Sequence, residues 1–231
     1  MKGELFFHNE LIITRNGLVN GLRKKNDGQT FFGILNEKDY TDTYYSDYII
    51  NISLKGDNNN NITSSTGRIF NIYYSKITND YFLHLMNNNY NISYLIENNY
   101  YFTNNKDTFI IIGKCLLTIN QKEITNNKKK INIKVDYDDN NSIGKQYNFT
   151  EEDSPITIGR KNDNKIFISN LSISKEHGVI MFSEENKNFY YKDLNSTNGS
   201  MLFMREDDTL KIKGEMRCKL NDTYFNILEI P

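Results

Sequence analysis

Short runs of alternating hydrophobic and polar residues recur along the whole chain, separated by Asn, Asp, Gly and Lys. This spacing, with no long stretch of helical period, is typical of an all-β sandwich or barrel. Two hairpins are clearly marked. Val179–Phe182 and Phe189–Leu194 flank one polar connection, and Ile72–Ser75 and Tyr81–Leu85 flank another. We therefore predict an all-β fold built from two tandem β-sandwiches.

The composition supports the same fold class. The chain has no Ala, the strongest helix former, and it is rich in Ile, Tyr and Phe, which favour pleated and half-buried surfaces. A formal net charge of −1 gives no overall basic field, so we expect neither a nucleic-acid nor a membrane partner.

Few residues suit metal binding or catalysis. Cys115 and Cys218 are too few for a disulfide framework and have no metal-ligand companions at a suitable spacing. Only three His are present, and the sequence has no nucleophile elbow, P-loop or dinucleotide fingerprint. We expect no cofactor, no metal and no catalysis. No leader or membrane-spanning run is evident, so we expect an intracellular protein, nuclear or cytoplasmic.

A polar segment near the middle of the chain suggests a domain boundary. Residues 125–130 are charged or polar with no apolar side chain among them, as linkers usually are. We predict a first β domain over residues 1–124, a linker over 125–130 and a second domain over 131–231.

Four short segments of the second half combine into a pattern with chemical meaning. They are Gly159-Arg160, Ser174-Lys175-Glu176-His177, Asp193-Leu194 and Ser196-Thr197-Asn198-Gly199, with predicted strands between them. A phosphate ester carries about −1.5 to −2 charges and three strong acceptor oxygens. Such a group is bound well by a planar guanidinium with short hydroxyl donors nearby.

Five residues fit those roles. Arg160 supplies the guanidinium, and Ser174 and Thr197 supply hydroxyl groups on two other loops. Asn198 has both a donor and an acceptor for a peptide main chain, and Gly199 permits the positive φ of an Asn-Gly turn.

In order and spacing these segments resemble the forkhead-associated (FHA) domain family. The resemblance implies a sandwich that binds a phosphothreonine-containing peptide. It implies that Arg160 and Ser174 contact the phosphate, that Thr197 assists and that Asn198 holds the peptide main chain. Lys175 is expected to add a charge-assisted contact.

The resemblance also assigns supporting positions. His177 matches a residue that ties the loops together, and Gly159 and Gly199 match turn positions. Lys161 and Lys165 add local positive charge. Ser200 stands where Thr is commoner, which leaves the peptide preference open. Two alternatives stay open for the whole chain: a structural scaffold subunit that does not depend on phosphate, and the regulatory region of a larger kinase or phosphatase.

The first half can be aligned with the second as a degenerate copy. Phe31–Ile34 then falls on Thr157–Arg160, which places Ile34 where Arg160 stands. The four residues from Ser64 to Gly67 fall on the segment ending at His177, and Arg68–Ile72 falls on Gly178–Phe182. Tyr81–Leu85 falls on Phe189–Asp193. We predict an FHA-like first domain without a phosphate site, and the alternative is an unrelated β domain.

Overall fold

The structure is a computed structural model that describes residues 11–23, 27–33, 46–50, 67–87, 90–124, 128–137, 144–205, 208–221 and 223–229. Within these residues the regular elements are strands and one short 3-10 helix, Glu151–Asp153, so the predicted all-β class is confirmed. The chain forms two compact units. The first comprises residues 1–91, 205–216 and 220–231, and the second comprises residues 92–204 and 217–219.

Strands β1–β6 come from the first half of the chain and lie in the first unit. They are Ile13–Thr14, Gly17–Leu18, Gln29–Gly33, Tyr48–Ile49, Arg68–Ser75 and Asp80–Leu85. Strands β7–β17 lie in the second unit. They are Ile92–Leu95, Tyr100–Tyr101, Asp107–Ile112, Cys115–Glu123, Lys129–Tyr137, Lys145–Thr150, Ile156–Gly159, Ile166–Phe167, Gly178–Ser183, Asn188–Asp193 and Ser200–Phe203. The last three strands, β18–β20, are Thr209–Lys211, Glu215–Leu220 and Thr223–Leu228.

The second unit is a sandwich of two sheets. One contains strands in the order β12-β11-β10-β9-β17-β7, and the other runs β14-β13-β15-β16-β8. Alternate residues of β9, β10 and β11 are buried, as the pleat of a one-sided sheet requires. They share one apolar core with residues of the second sheet, such as Ile158, Ile180 and Phe189.

The first unit repeats the second of these sheets. Its five strands run β4-β3-β5-β6-β18, the same arrangement as β14-β13-β15-β16-β8. In both sheets the first pair is parallel and the next two are antiparallel. The amide of Ile50 donates to Gly33 in the first unit (2.7 Å), as Ile168 donates to Gly159 in the second (3.0 Å). One sheet of the second unit is therefore repeated in the first, as the predicted tandem arrangement requires.

The structure corrects one part of the predicted alignment. Phe70 pairs with Leu85 as Gly178 pairs with Asp193, so Arg68–Ile72 is displaced by two residues from the predicted register. Tyr81–Leu85 does align with Phe189–Asp193. A shift of two leaves every side chain on its original face, so the hydrophobic pattern cannot detect it.

A buried isoleucine marks the corrected register. Met86 donates to the carbonyl of Ile69 (2.9 Å) as Leu194 donates to that of His177 (2.9 Å), so Ile69 rather than Gly67 occupies the place of His177. Ile34 and residues 64–66 lie outside the described residues.

The division of the chain into two units does not fall at the boundary predicted for residues 125–130. Strands β10 and β11 are paired from Cys115–Tyr137 to Glu123–Lys129, and Ile124 donates to the carbonyl of Lys128 (2.7 Å). Polarity marks a hairpin connection as readily as a linker. The strand beside β16 is β8, from the first half, and the strand beside β6 is β18, from the second. The two halves therefore exchange strands.

Candidate functional site

Three loops of the second unit converge at one end of its sandwich. The first follows β13, the second joins β14 to β15, and the third joins β16 to β17. The amides of Arg160 and Lys161 donate to the carbonyls of Ser174 (3.0 Å) and Lys175 (3.3 Å), which holds the first loop against the second. A Cβ at position 159 would overlap the carbonyl oxygen of Lys175, so the close approach requires Gly159.

The second and third loops are joined through Ser174. Its Oγ accepts from the amide of Thr197 (3.0 Å) and donates to Thr197 Oγ1 (3.4 Å). The Nδ2 of Asn198 donates to the carbonyl of Ser172 (2.8 Å). Gly199 has a φ of 69°, the left-handed conformation predicted for the Asn-Gly turn. The structure thus brings together Ser174, Thr197 and Asn198 from two loops that are far apart in sequence.

The side-chain amide of Asn198 is partly occupied. Its donor is used inside the chain, whereas its Oδ1 accepts no bond from any described residue. The oxygen is therefore the part of this side chain that is available to the main-chain N–H of a peptide.

The candidate cations fall into two groups. Arg160 and Lys175 are exposed, and neither side chain has an ion pair or hydrogen bond with a described residue. Lys161 instead pairs with Asp163 (2.7 Å) and Glu176 (3.7 Å), which raises its pKa. Lys165 donates to the carbonyl of Asp153. Arg160 and Lys175 are therefore the cations best able to receive an anion.

His177 links the loops from beneath. Its side chain is fully buried, its amide donates to Ile158 (2.9 Å), and its Nδ1 accepts from the amide of Ser174 (3.2 Å). Its Nε2 lies 3.8 Å from Asp193 Oδ2. Burial lowers the pKa of His177, and the nearby carboxylate of Asp193 opposes this shift in part. The imidazole is therefore suited to be a neutral support rather than a phosphate ligand.

Asp193 supports the third loop and was not among the predicted site residues. Its Oδ1 accepts from the amide of Ser196 (2.7 Å), and its Oδ2 accepts from the hydroxyls of Ser196 (2.8 Å) and Ser200. Ser200 also bonds the hydroxyl of the buried Tyr191 (2.7 Å). The Asp-x-x-Ser spacing, typical of a side-chain-capped turn, is the signal that could have identified Asp193.

Asn164 is a second supporting residue that the sequence did not reveal. Its Nδ2 donates to the carbonyls of Lys161 (2.8 Å) and Lys175 (2.9 Å), and so joins the first and second loops. In a chain with so many loop asparagines, nothing in the sequence distinguishes this one.

The described part of the chain contains no helix that could span a membrane and no cluster of potential metal ligands. The FHA domain family model matches residues 156–217, which include all three loops. The family resemblance of the second half is thus confirmed, and FHA domains are non-catalytic modules that bind phosphothreonine-containing peptides. No curated protein and no solved structure matches the chain.

Proposed function

Because residues 156–217 carry an FHA domain, we propose that this protein is a phosphothreonine-dependent protein-binding module and that its second unit holds the peptide. The observation that carries the proposal is that the guanidinium of Arg160 has no bond to a described residue, while the next loop carries Ser174, whose hydroxyl is bonded to Thr197. Within the described residues, the guanidinium has no competing carboxylate. Its loop is bonded directly to that of Ser174.

Each predicted residue has a role consistent with its surroundings. Arg160 would pair with the phosphate, Ser174 and Thr197 would donate to its oxygens, and Lys175 would add a second charge. The Oδ1 of Asn198 would accept from the peptide main chain. Gly159, His177 and Gly199 would hold the three loops in place. The chain would then act as an adaptor in signalling or assembly, without catalysis of its own.

The proposal is tested by titrating the protein with a degenerate phosphothreonine peptide library. A hydrogen bond to a charged group contributes about 1.5–3 kcal/mol. Arg160→Ala should therefore weaken binding at least ~10-fold. A matched control is Arg217→Ala, because Arg217 is also an exposed arginine within the matched residues. That variant should bind like the unmodified protein.

Phosphoserine and unphosphorylated peptides complete the comparison. We expect selective binding of phosphothreonine, since FHA domains bind phosphothreonine-containing peptides. Binding that is indifferent to phosphate and to Arg160 would contradict the proposal and would favour the phosphate-independent scaffold.

A further inference from the structure

A loop from the first half of the chain lies beside the third loop of the candidate site. Residues 96–99 connect β7 to β8, and residues 194–199 connect β16 to β17. Strand β7 pairs with β17 (Leu95 with Met201), and β8 pairs with β16 (Tyr100 with Tyr191). Both loops therefore span the same two sheets at the same end of the unit.

Direct contacts hold residues 96–99 against the third loop. The amide of Ile96 donates to the carbonyl of Ser200 (2.8 Å), the residue that directly follows the third loop. A Cβ on Gly199 would lie 2.6 Å from Leu95 Cδ1, so the Asn-Gly turn packs directly on the end of β7. The position of residues 97–99 relative to Thr197 and Asn198 is thus set by the pairing of strands.

A cleft of about 420 Å³ opens between the two loops. It is lined by Glu97, Asn98, Asn99, Lys192, Asp193 and Asn195. All six of these residues have polar side chains: two carboxylates, one ammonium group and three amides that carry further acceptor oxygens. The cleft is large enough for a long side chain, and Asn195 of its lining belongs to the loop that also holds Thr197 and Asn198.

We propose that this cleft is a subsite for a basic side chain, arginine or lysine, that flanks the phosphothreonine in the partner peptide. This inference rests on the proposed function, because the phosphothreonine is what places the peptide beside the cleft. The subsite would combine residues of both halves, and Glu97, Asn98 and Asn99 lie outside the residues that the family model matches.

The charges favour a cation over an anion or an apolar side chain. Glu97 is exposed and has no ion pair with any described residue. The carboxylate of Asp193 is held in one orientation by Ser196 and Ser200. Lys192 balances only one of the two carboxylates of the cleft, so the lining keeps a negative charge. Arg160 and Lys175 belong instead to the first and second loops. A peptide with a phosphate and a nearby basic residue complements both regions.

The test uses the full chain and phosphothreonine peptides in which each flanking position carries Arg, Lys, Ala or Glu in turn. An exposed ion pair contributes about 0.2–1 kcal/mol. Arg or Lys at one position should therefore improve binding by about 1.4- to 5-fold over Ala. Glu97→Gln should abolish this preference, and Glu97→Lys should reverse it in favour of Glu. Glu185→Gln, at an exposed and unpaired glutamate of the same unit, should leave it unchanged.

The outcomes separate the two proposals. Phosphothreonine-dependent binding with no preference for a basic residue would overturn the subsite and leave the proposed function standing. A preference that survives both Glu97 substitutions would also overturn it. Absence of any phosphothreonine-dependent binding would overturn both. A preference that weakens as salt is raised supports the subsite, because the ion pair is exposed.

Discussion

The protonation state of a single imidazole is coupled to the position of the second loop of the site, which carries Ser174. Nδ1 of His177 accepts from the amide of Ser174, so this nitrogen must carry no proton. Protonation would place a hydrogen on Nδ1, facing the Ser174 N–H, and would create a charge in a fully buried side chain. The same residue therefore affects both the stability of the unit and the placement of the Ser174 hydroxyl.

Stability should consequently fall in mildly acidic solution. The pKa of His177 is lowered in the folded protein, whereas a histidine in an unfolded chain has a pKa of about 6.5. Below that pH the unfolded chain takes up a proton that the folded protein does not. The contribution to stability is therefore complete above ~6.5 and declines as the pH falls, by at most about 1.4 kcal/mol per pH unit.

Urea unfolding between pH 7.5 and 5.5 measures this dependence. In His177→Gln the part of the slope that belongs to this residue should disappear. His84→Gln should retain it, since His84 is in the first unit and its imidazole bonds only Thr209 among the described residues. An unchanged slope in His177→Gln would contradict the expectation.

At the same scale, the sequence predicted some site residues and missed others. Arg160, Ser174, Thr197 and Asn198 could be selected because their spacing forms a motif. Asn164 could not, because its role depends on two carbonyl groups brought together only by folding. The loop of Glu97 lies nearly one hundred residues from Asn195 in sequence. Its place at the site follows from strand pairing alone.

At the scale of elements, a glycine performs the same task in both units. A Cβ at Gly33 would overlap the carbonyl oxygen of Gly67, as one at Gly159 would overlap that of Lys175. Each glycine ends the strand that pairs in parallel with its neighbour, β4 or β14. The repeated fold thus preserves this close approach in both units.

This equivalence gives a matched pair of substitutions. Gly159→Ala and Gly33→Ala should each destabilise the protein by about 1–3 kcal/mol, because the added methyl group meets main-chain atoms. Only Gly159→Ala should also weaken binding of a phosphothreonine peptide, since it displaces the loop that carries Arg160. Urea unfolding and peptide titration measure the two effects. Equal loss of affinity in both variants would show that the strand end does not control the site.

The order of the strands could be predicted only in part. Alternation of apolar and polar residues predicted the two hairpins, β5–β6 and β15–β16, and both are present. It did not predict that β8 would pair with β16 or β18 with β6. Two equivalent sheets offer nearly the same edge to either strand, and a local pattern contains no information on which of them is used.

At the scale of the whole molecule, each compact unit contains chain from both sides of the β10–β11 connection. If a protease site is introduced between Ile124 and Lys128, cleavage should leave both units with all their strands. The two fragments should therefore remain together in gel filtration and should still bind a phosphothreonine peptide.

Denaturation provides the control for this experiment. The cleaved protein should separate into two fragments in concentrated urea, which proves that the cut is complete. Fragments that elute separately without denaturant would instead indicate two independent domains joined by a linker, as the polar segment alone suggested.

The discontinuous first unit also has a consequence for protein synthesis. Its first 91 residues leave the ribosome early, but its remaining segments begin only at residue 205. At about 5–20 residues per second, translation needs roughly ten seconds to reach them. The second unit, begun later, receives most of its chain sooner. The unit whose synthesis starts first is therefore completed last, and until then strand β6 lacks its partner β18.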